Sequence, residues 1–187
     1  MTSGSEQKTV ALKFFASCAE RDSEWQRVSS DEFRLWVATP IEKFEFMGLF
    51  VISMEFGIPL NLALERKKWR EQHMLLWKAA KAVHQCFHER GLVWTDLKPH
   101  NFIVTGEGAR SELKVVDLEH VIRVGEAPKA FTAAFAAPEL VAGTSPITQS
   151  ADVWSFGVMV FEAFFGRHPL ATLPGFSTSE DKLDIIR

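Results

Sequence analysis

A short polar segment constrains this chain more than any other part of it: T-D-L-K-P-H-N at residues 95–101. Apolar runs at residues 92–93 and 102–104 flank the segment, and both are typical of short β-strands. A further short strand is predicted at residues 113–116 (L-K-V-V) and ends directly before Asp117. The pattern predicts a loop of charged side chains between two strands, with a further carboxylate at the end of the next hairpin.

The residue types in this loop favour phosphoryl transfer. Asn101 and Asp117 offer hard oxygen ligands of the kind that Mg²⁺ prefers. A metal held by only two side chains keeps coordination positions for phosphate oxygens. Asp96 could then accept a proton from an attacking hydroxyl, and Lys98 could neutralise charge on the transferring group. We therefore expect a phosphoryl-transfer site.

The pattern along the whole chain predicts an α+β fold with two lobes. Strands are predicted at residues 9–15, 44–47 and 49–54, with a charged helix over 17–36 between the first two. Helices are predicted at 69–90 and at 152–165, the latter buried all round because it is apolar on nearly every side. We expect a tail (1–8), a partial β-rich small lobe (9–56) and a partial, mainly helical large lobe (57–187), with a ligand cleft where they meet.

Five motifs in a fixed order make the chain similar to the eukaryotic protein-kinase family, of the Ser/Thr type. Residues 10–13 read V-A-L-K, and residues 96–101 read D-L-K-P-H-N. Asp117 takes the place of the Asp in D-F-G, residues 137–139 read A-P-E, and residues 152–157 read D-V-W-S-F-G. Each motif alone is weak, and their order carries the resemblance. It implies the two-lobe kinase fold.

The resemblance also implies ATP and Mg²⁺ as cofactors and a protein as substrate. By position, Asp96 is the catalytic base and Lys98 contacts the transferred phosphate, while Thr132 with Lys98 is the Ser/Thr-type pattern. Lys13 would hold the α- and β-phosphates. The implied metal ligands and adenine-pocket residues are Asn101 and Asp117 for Mg²⁺, and Ala11, Met54, Glu55, Gly57 and Ile103 around the adenine.

Several departures from the family pattern keep other functions open. No Gly-rich loop precedes Lys13, and the chain resembles a kinase truncated at both ends, so that Glu139 would lack its family Arg partner. The usual H-R-D reads W-T-D at 94–96, with Trp94 replacing the bulk of the His, and D-F-G reads D-L-E at 117–119. Glu32 or Glu24 would pair with Lys13. A pseudokinase scaffold, or a kinase of small alcohols of the choline or aminoglycoside type, is the alternative.

Composition limits the kinds of partner that this chain is expected to bind. Lysine and arginine number 21 against 24 acidic residues, a net charge of −3, so we expect neither nucleic acid nor a membrane as partner. Two cysteines and the lack of an export signal or membrane span favour a soluble, cytoplasmic protein. His84 and His88 have zinc-like spacing, but without further ligands they are interpreted as surface residues.

Overall fold

A computed structural model describes residues 9–106, 111–143 and 146–171. The predicted tail at residues 1–8 lies outside the described residues. The elements in chain order are β1 (Val10–Phe15), α1 (Cys18–Val28), β2 (Pro40–Phe46), β3 (Leu49–Glu55), β4 (Ile58–Pro59), α2 (Leu60–Glu65), α3 (Trp69–Cys86), β5 (Leu92–Trp94), β6 (Phe102–Thr105), β7 (Glu112–Val115), β8 (Val121–Arg123), α4 (Pro138–Ala142) and α5 (Ser150–Phe165).

The N-terminal strands form one antiparallel sheet in the order β1-β3-β2. Met47 and Gly48, with φ of 51° and 76°, make the tight turn between β2 and β3, because a two-residue hairpin turn needs left-handed backbone. Ala11 and Lys13 pair with Met54 and Ile52 of β3. Because successive strand residues face opposite sides of a sheet, Ala11 and Lys13 share one face. The three strands predicted here are present, but β2 begins four residues earlier than predicted and ends at Phe46, because Met47 belongs to the turn.

Helix α1 is shorter than the predicted helix over 17–36. Ser17 caps its start by accepting a hydrogen bond from the Glu20 amide, and the helix ends at Val28. After it the chain folds into turns, and the Val37 backbone bridges to Val115 of β7. The prediction that the helix continues to residue 36 was wrong. Val28 and Val37 both belong to the core, and the turns between them, rather than further helix, bring both side chains into it.

The helical region is built around α3, which packs against α2, α5 and β7. The buried face of α3 carries Leu75, Leu76, Ala79, Ala82, Val83 and Cys86. Burial raises the pKa of the Cys86 thiol to about 12, which keeps it protonated and unreactive. The chain leaves the short 3₁₀ turn His88–Arg90 at Gly91, whose φ of 67° fits the left-handed cap expected there.

Helix α5 is not buried on all sides as predicted. Ala151, Asp152, Ser155, Val158 and Met159 are buried. By contrast, the exposed fraction is 65% for Val153 and 64% for Phe165. The helix packs against α2, α3 and β5, and side chains that face away from these elements stay in contact with solvent despite being apolar.

Within the described residues, no helix combines the length and the apolar character that crossing a membrane requires.

Candidate active site

The predicted loop after β5 is held together mainly by its own residues. Lys98 is extended, as a residue before proline prefers, and Pro99 opens a 3₁₀ turn that ends at Asn101. The Asn101 side-chain nitrogen donates to the Asp96 carbonyl (2.9 Å) and to Asp96 Oδ2 (3.2 Å). Asp96 and Asn101 are thereby locked together across the turn.

Asp96, Lys98, Asn101 and Thr132 form what we call the catalytic-loop cluster. Lys98 Nζ lies 2.7 Å from Asp96 Oδ2 and donates to Thr132 Oγ1 at 2.8 Å. The Thr132 hydroxyl donates to Asp96 Oδ1 at 2.6 Å. The structure therefore brings together the Lys and Thr that sequence assigned to the Ser/Thr-type pattern, both on the same carboxylate.

The surroundings of Asp96 keep it ionised although it is 5% exposed. Burial alone would raise its pKa, but hydrogen bonds from Lys98 and Thr132, the charge of Lys98 and the Asn101 amide together hold the pKa of Asp96 below its ordinary value of 3.8. At neutral pH the carboxylate is a fixed anion with both oxygens oriented. It can orient a substrate hydroxyl and take up its proton late in a transfer.

The loop is anchored to the buried start of α5. Asp152 accepts hydrogen bonds from the Trp94 amide at 2.9 and 3.1 Å, and His88 Nε2 lies 2.9 Å from Asp152 Oδ2. Burial raises the pKa of Asp152, although the bonds from His88 and Trp94 oppose the rise. The surface interpretation of His88 is wrong: its side chain is 15% exposed, because a carboxylate buried at the helix start needs a side-chain donor.

Trp94 fills the interior beneath the loop. This agrees with the prediction that it replaces the bulk of the His in the usual H-R-D motif. It is fully buried, and its ring centroid lies 5.1 Å from that of Phe87 and 5.2 Å from that of Phe102. Aromatic pairs at these distances stabilise beyond the area they bury. The loop thus rests on a cluster of tilted and edge-to-face aromatic rings.

Lys13, Glu24 and Asp117 form a second group, which we call the phosphate-side cluster. Lys13 Nζ lies 3.0 Å from Glu24 Oε1 and 3.2 Å from Asp117 Oδ1. Burial lowers the pKa of Lys13, but the charges of Glu24 and Asp117 outweigh burial and leave it raised. Glu24 is therefore the partner of Lys13, while the other candidate, Glu32, lies 3.5 Å from Arg90.

The backbone directly before Asp117 connects the two clusters. The Val116 amide donates to the Asn101 carbonyl at 2.9 Å, which ties the end of the hairpin to the catalytic loop. Asp117 itself has φ of 66°, a conformation that Asp tolerates better than most residues. The next residue but one, Glu119, is exposed, and its backbone amide donates to Asp117 Oδ1 at 3.4 Å.

The residues predicted to surround adenine gather at the junction of the sheet and β6. Met54 and Ile103 belong to one apolar cluster, and Ala11 packs against it. The Glu55 carboxylate accepts from the Thr39 amide at 3.3 Å. At Gly57 an added Cβ would lie 2.9 Å from Ile103 Cβ and 2.9 Å from the Val104 carbonyl, so the connector passes too close to β6 for any larger residue.

The donor set of Asn101 and Asp117 fits Mg²⁺. Because the Asn101 nitrogen is turned toward Asp96, its carbonyl oxygen remains as a ligand. Asp117 contributes a carboxylate, and the two together supply oxygen ligands only. Among the described residues, no group of three or more His, Cys, Asp or Glu side chains could hold a metal by itself, so an ion here would depend on phosphate oxygens as well.

Comparison with known proteins shows the family of this chain. The family model described as protein kinase domain matches residues 50–186, more than half of the chain. The chain is 27% identical over 142 residues to cAMP-dependent protein kinase catalytic subunit 2 of Drosophila melanogaster, an alignment that covers 74% of the chain and 39% of the relative. It is 30% identical over 149 residues to ribosomal protein S6 kinase alpha-6 of Mus musculus (75% and 19%).

A third relative is Tribbles homolog 1 of Mus musculus, 33% identical over 124 residues, which covers 62% of the chain and 32% of the relative. The chain therefore spans less than two fifths of the length of the curated relatives it matches. It belongs to the protein kinase family, and its partial α+β kinase fold confirms the fold class that the motifs predicted.

Proposed function

We propose that this chain binds ATP with Mg²⁺ and transfers the γ-phosphate to a Ser or Thr hydroxyl of a protein substrate. The observation that carries the proposal is the catalytic-loop cluster, in which Lys98 and Thr132 both bind the ionised Asp96. Two of the three side-chain donors to Asp96, Lys98 and Asn101, come from the loop itself, and the third, Thr132, lies 36 residues further along the chain. Their bonds fix the position of the carboxylate in advance, which is what phosphoryl transfer requires of a protein.

In the proposed reaction the substrate oxygen bonds to the γ-phosphorus as the bond from that phosphorus to the β,γ-bridging oxygen breaks. Asp96 orients the substrate hydroxyl and takes up its proton. Lys98 and Lys13 stabilise negative charge on the phosphates. A bound Mg²⁺, held by Asn101 and Asp117, would supply further charge neutralisation.

The adenine would lie in the apolar junction that Ala11, Met54 and Ile103 form. The Glu55 carbonyl and the Gly57 amide would bond its polar edge. We further propose that residues 9–56 and 57–187 are the partial small and large lobes that enclose the nucleotide. This assignment gives apolar burial for affinity and two backbone bonds for register.

Substitution of Asp96 tests the proposal directly. Asp96→Asn should abolish transfer of radiolabelled phosphate from ATP to a mixed protein substrate, because the amide cannot accept the proton, while Mg²⁺–ATP still raises the melting temperature. Asp31→Asn, an exposed residue, is the matched control and should leave transfer unchanged. Unchanged transfer in Asp96→Asn would disprove the assignment.

A second candidate function is a nucleotide-binding scaffold without turnover. It is favoured by Glu119, which adds an exposed carboxylate beside the proposed metal ligand Asp117. Repulsion between this carboxylate and the γ-phosphate would hinder the alignment that transfer needs, while the apolar contacts to the adenine would be unaffected. A melting-temperature increase with Mg²⁺–ATP, without phosphate transfer in either the parent chain or Glu119→Gly, would favour the scaffold. A kinase of small alcohols shares D-x-E, and choline as acceptor tests it in the same assay.

A further inference from the structure

A groove of about 780 Å³ lies outside the candidate active site, between α3 and the edge of the β4–β6–β7 sheet. Its floor is apolar: Ala63 and Leu75 are buried, and Val104 is half-buried. Ile58 and Met74 line it with exposed fractions of 42% and 52%. Apolar side chains that face solvent in a concave surface are a common feature of binding grooves.

The rim of this groove is strongly cationic. Arg66, Lys67, Arg70 and Lys78 line it, against one carboxylate, Glu71. Lys67 lies 2.8 Å from Glu71, and Lys78 donates to the Ser111 carbonyl at 2.7 Å. Arg66 and Arg70 are exposed and have no carboxylate within ion-pair distance in residues 9–106, 111–143 and 146–171. Among the described residues, these two exposed guanidinium groups are therefore cations without an ion-pair partner, on a chain whose net charge is −3.

Helix stability does not account for Arg70. It lies in the first turn of α3, which begins at Trp69, and the positive end of the helix dipole disfavours a cation there. The Arg70 guanidinium lies 5.3 Å from the ring centroid of Trp69, which is 65% exposed and does not belong to the groove lining. Arg70 itself lines the groove and is exposed, so an acidic ligand can reach it.

The spacing of the lining residues indicates the shape of that ligand. Arg70, Met74 and Lys78 follow one another at intervals of four residues and so share a face of α3. At 1.5 Å per residue, the two cations are separated by about 12 Å along the helix, with the apolar floor between them. A peptide helix of about two turns would place apolar side chains on the floor and carboxylates at both ends.

We propose that this groove is a docking site for an acidic, amphipathic segment of a partner protein. Charge complementarity favours carboxylates at Arg66 and Arg70 at one end of the groove and at Lys78 at the other, and the apolar floor favours Leu-like anchors, as in helix-in-groove recognition. The concave floor does not fit a flat bilayer. Four cations grouped beside an apolar floor also differ from the extended basic surface that a nucleic-acid backbone selects.

Selection from phage-displayed random 12-residue peptides on the full chain tests the proposal. We expect enrichment of peptides with Asp or Glu and with apolar residues three or four positions apart. Their affinity, measured by fluorescence anisotropy, should fall about tenfold in the double variant R66E/R70E, equivalent to about 1.4 kcal/mol. The double variant R34E/R123E, which reverses two exposed cations outside the groove lining, is the matched control and should stay within about twofold.

A second variant keeps the proposal falsifiable if R66E/R70E misfolds by circular dichroism. Met74→Ser removes an apolar anchor without changing charge and should weaken the same peptides about fivefold. The proposal is overturned if no peptide is enriched, if the selected peptides lack acidic residues, or if neither variant weakens them. It is also overturned if a single-stranded RNA 12-mer or phosphatidylserine vesicles bind the groove cations more tightly than the peptides do.

Discussion

The two charged clusters of the candidate site are assembled in different ways. In the catalytic-loop cluster three of four side chains lie within residues 96–101, and Thr132 completes the set. In the phosphate-side cluster, by contrast, Lys13, Glu24 and Asp117 come from a strand, a helix and the end of a distant hairpin. The first cluster follows from local chain geometry, whereas the second depends on how separate elements pack.

The clusters also differ in how completely their buried charges are bonded. Both Asp96 oxygens accept side-chain hydrogen bonds, but Glu24 Oε2 is buried without a hydrogen-bond partner among the described residues and lies 3.7 Å from Arg27. A buried charge with few partners is costly to the fold. The buried charge of the catalytic-loop cluster is therefore more completely bonded than that of the phosphate-side cluster.

The largest expected effect concerns the anchor of the catalytic loop. Asp152→Ala should lower the free energy of unfolding by about 4 kcal/mol, because it leaves the Trp94 amide and His88 buried without an acceptor, and each such donor costs about 1–3 kcal/mol. Asp152→Asn keeps an acceptor and removes the buried charge, so its loss should be about 1 kcal/mol. Urea unfolding measures both, and equal losses would contradict the anchoring role.

The second prediction concerns the phosphate-side cluster. Lys13→Met should lower the free energy of unfolding by about 3 kcal/mol, because Glu24 is 3% exposed and would lose its closest cation. The double variant K13M/E24M should recover most of that loss, since it removes the uncompensated carboxylate as well. If the double variant were no more stable than Lys13→Met, the uncompensated charge of Glu24 would not be the cause of the lost stability.

The third prediction uses pH to compare the clusters. Because the pKa of Asp96 in the folded chain is below its ordinary value of 3.8, ionised Asp96 stabilises the fold above pH 3.8, and this contribution is lost as pH falls through the folded-state pKa. Thr132→Val removes the 2.6 Å hydrogen bond to Asp96 and should cost about 2 kcal/mol at pH 7.

Without that bond the folded-state pKa of Asp96 rises, so Thr132→Val should begin to lose stability at a higher pH than the parent chain. Thr132→Ser keeps the hydroxyl and is the control. Thermal melts between pH 3 and pH 7 measure the difference, and parallel pH profiles for Thr132→Val and Thr132→Ser would show that the bond does not lower the pKa of Asp96.

The contrast between the clusters also explains what could be predicted from sequence. The D-L-K-P-H-N motif located Asp96, Lys98 and Asn101 because a turn of six residues fixes their neighbours. The partner of Lys13 stayed open between Glu24 and Glu32, since the choice depends on where α1 ends, and the helix stops at Val28. His88 was misjudged for a similar reason: its partner Asp152 lies 64 residues away, and no local pattern marks that contact.

The smallest expected effect distinguishes Glu24 from Glu32, the two candidate partners of Lys13 between which the sequence could not decide. Glu32 is 52% exposed, and its carboxylate lies 3.5 Å from Arg90, so Glu32→Gln should change the free energy of unfolding by less than about 0.5 kcal/mol. Glu24→Gln removes the charge from a buried site, and the amide leaves Lys13 with Asp117 as its remaining carboxylate partner. We expect Glu24→Gln, unlike Glu32→Gln, to weaken Mg²⁺–ATP binding in a melting-temperature titration, because Lys13 is no longer held between two carboxylates. If Glu32→Gln weakened nucleotide binding more, the phosphate-side cluster would have to be redrawn around Glu32.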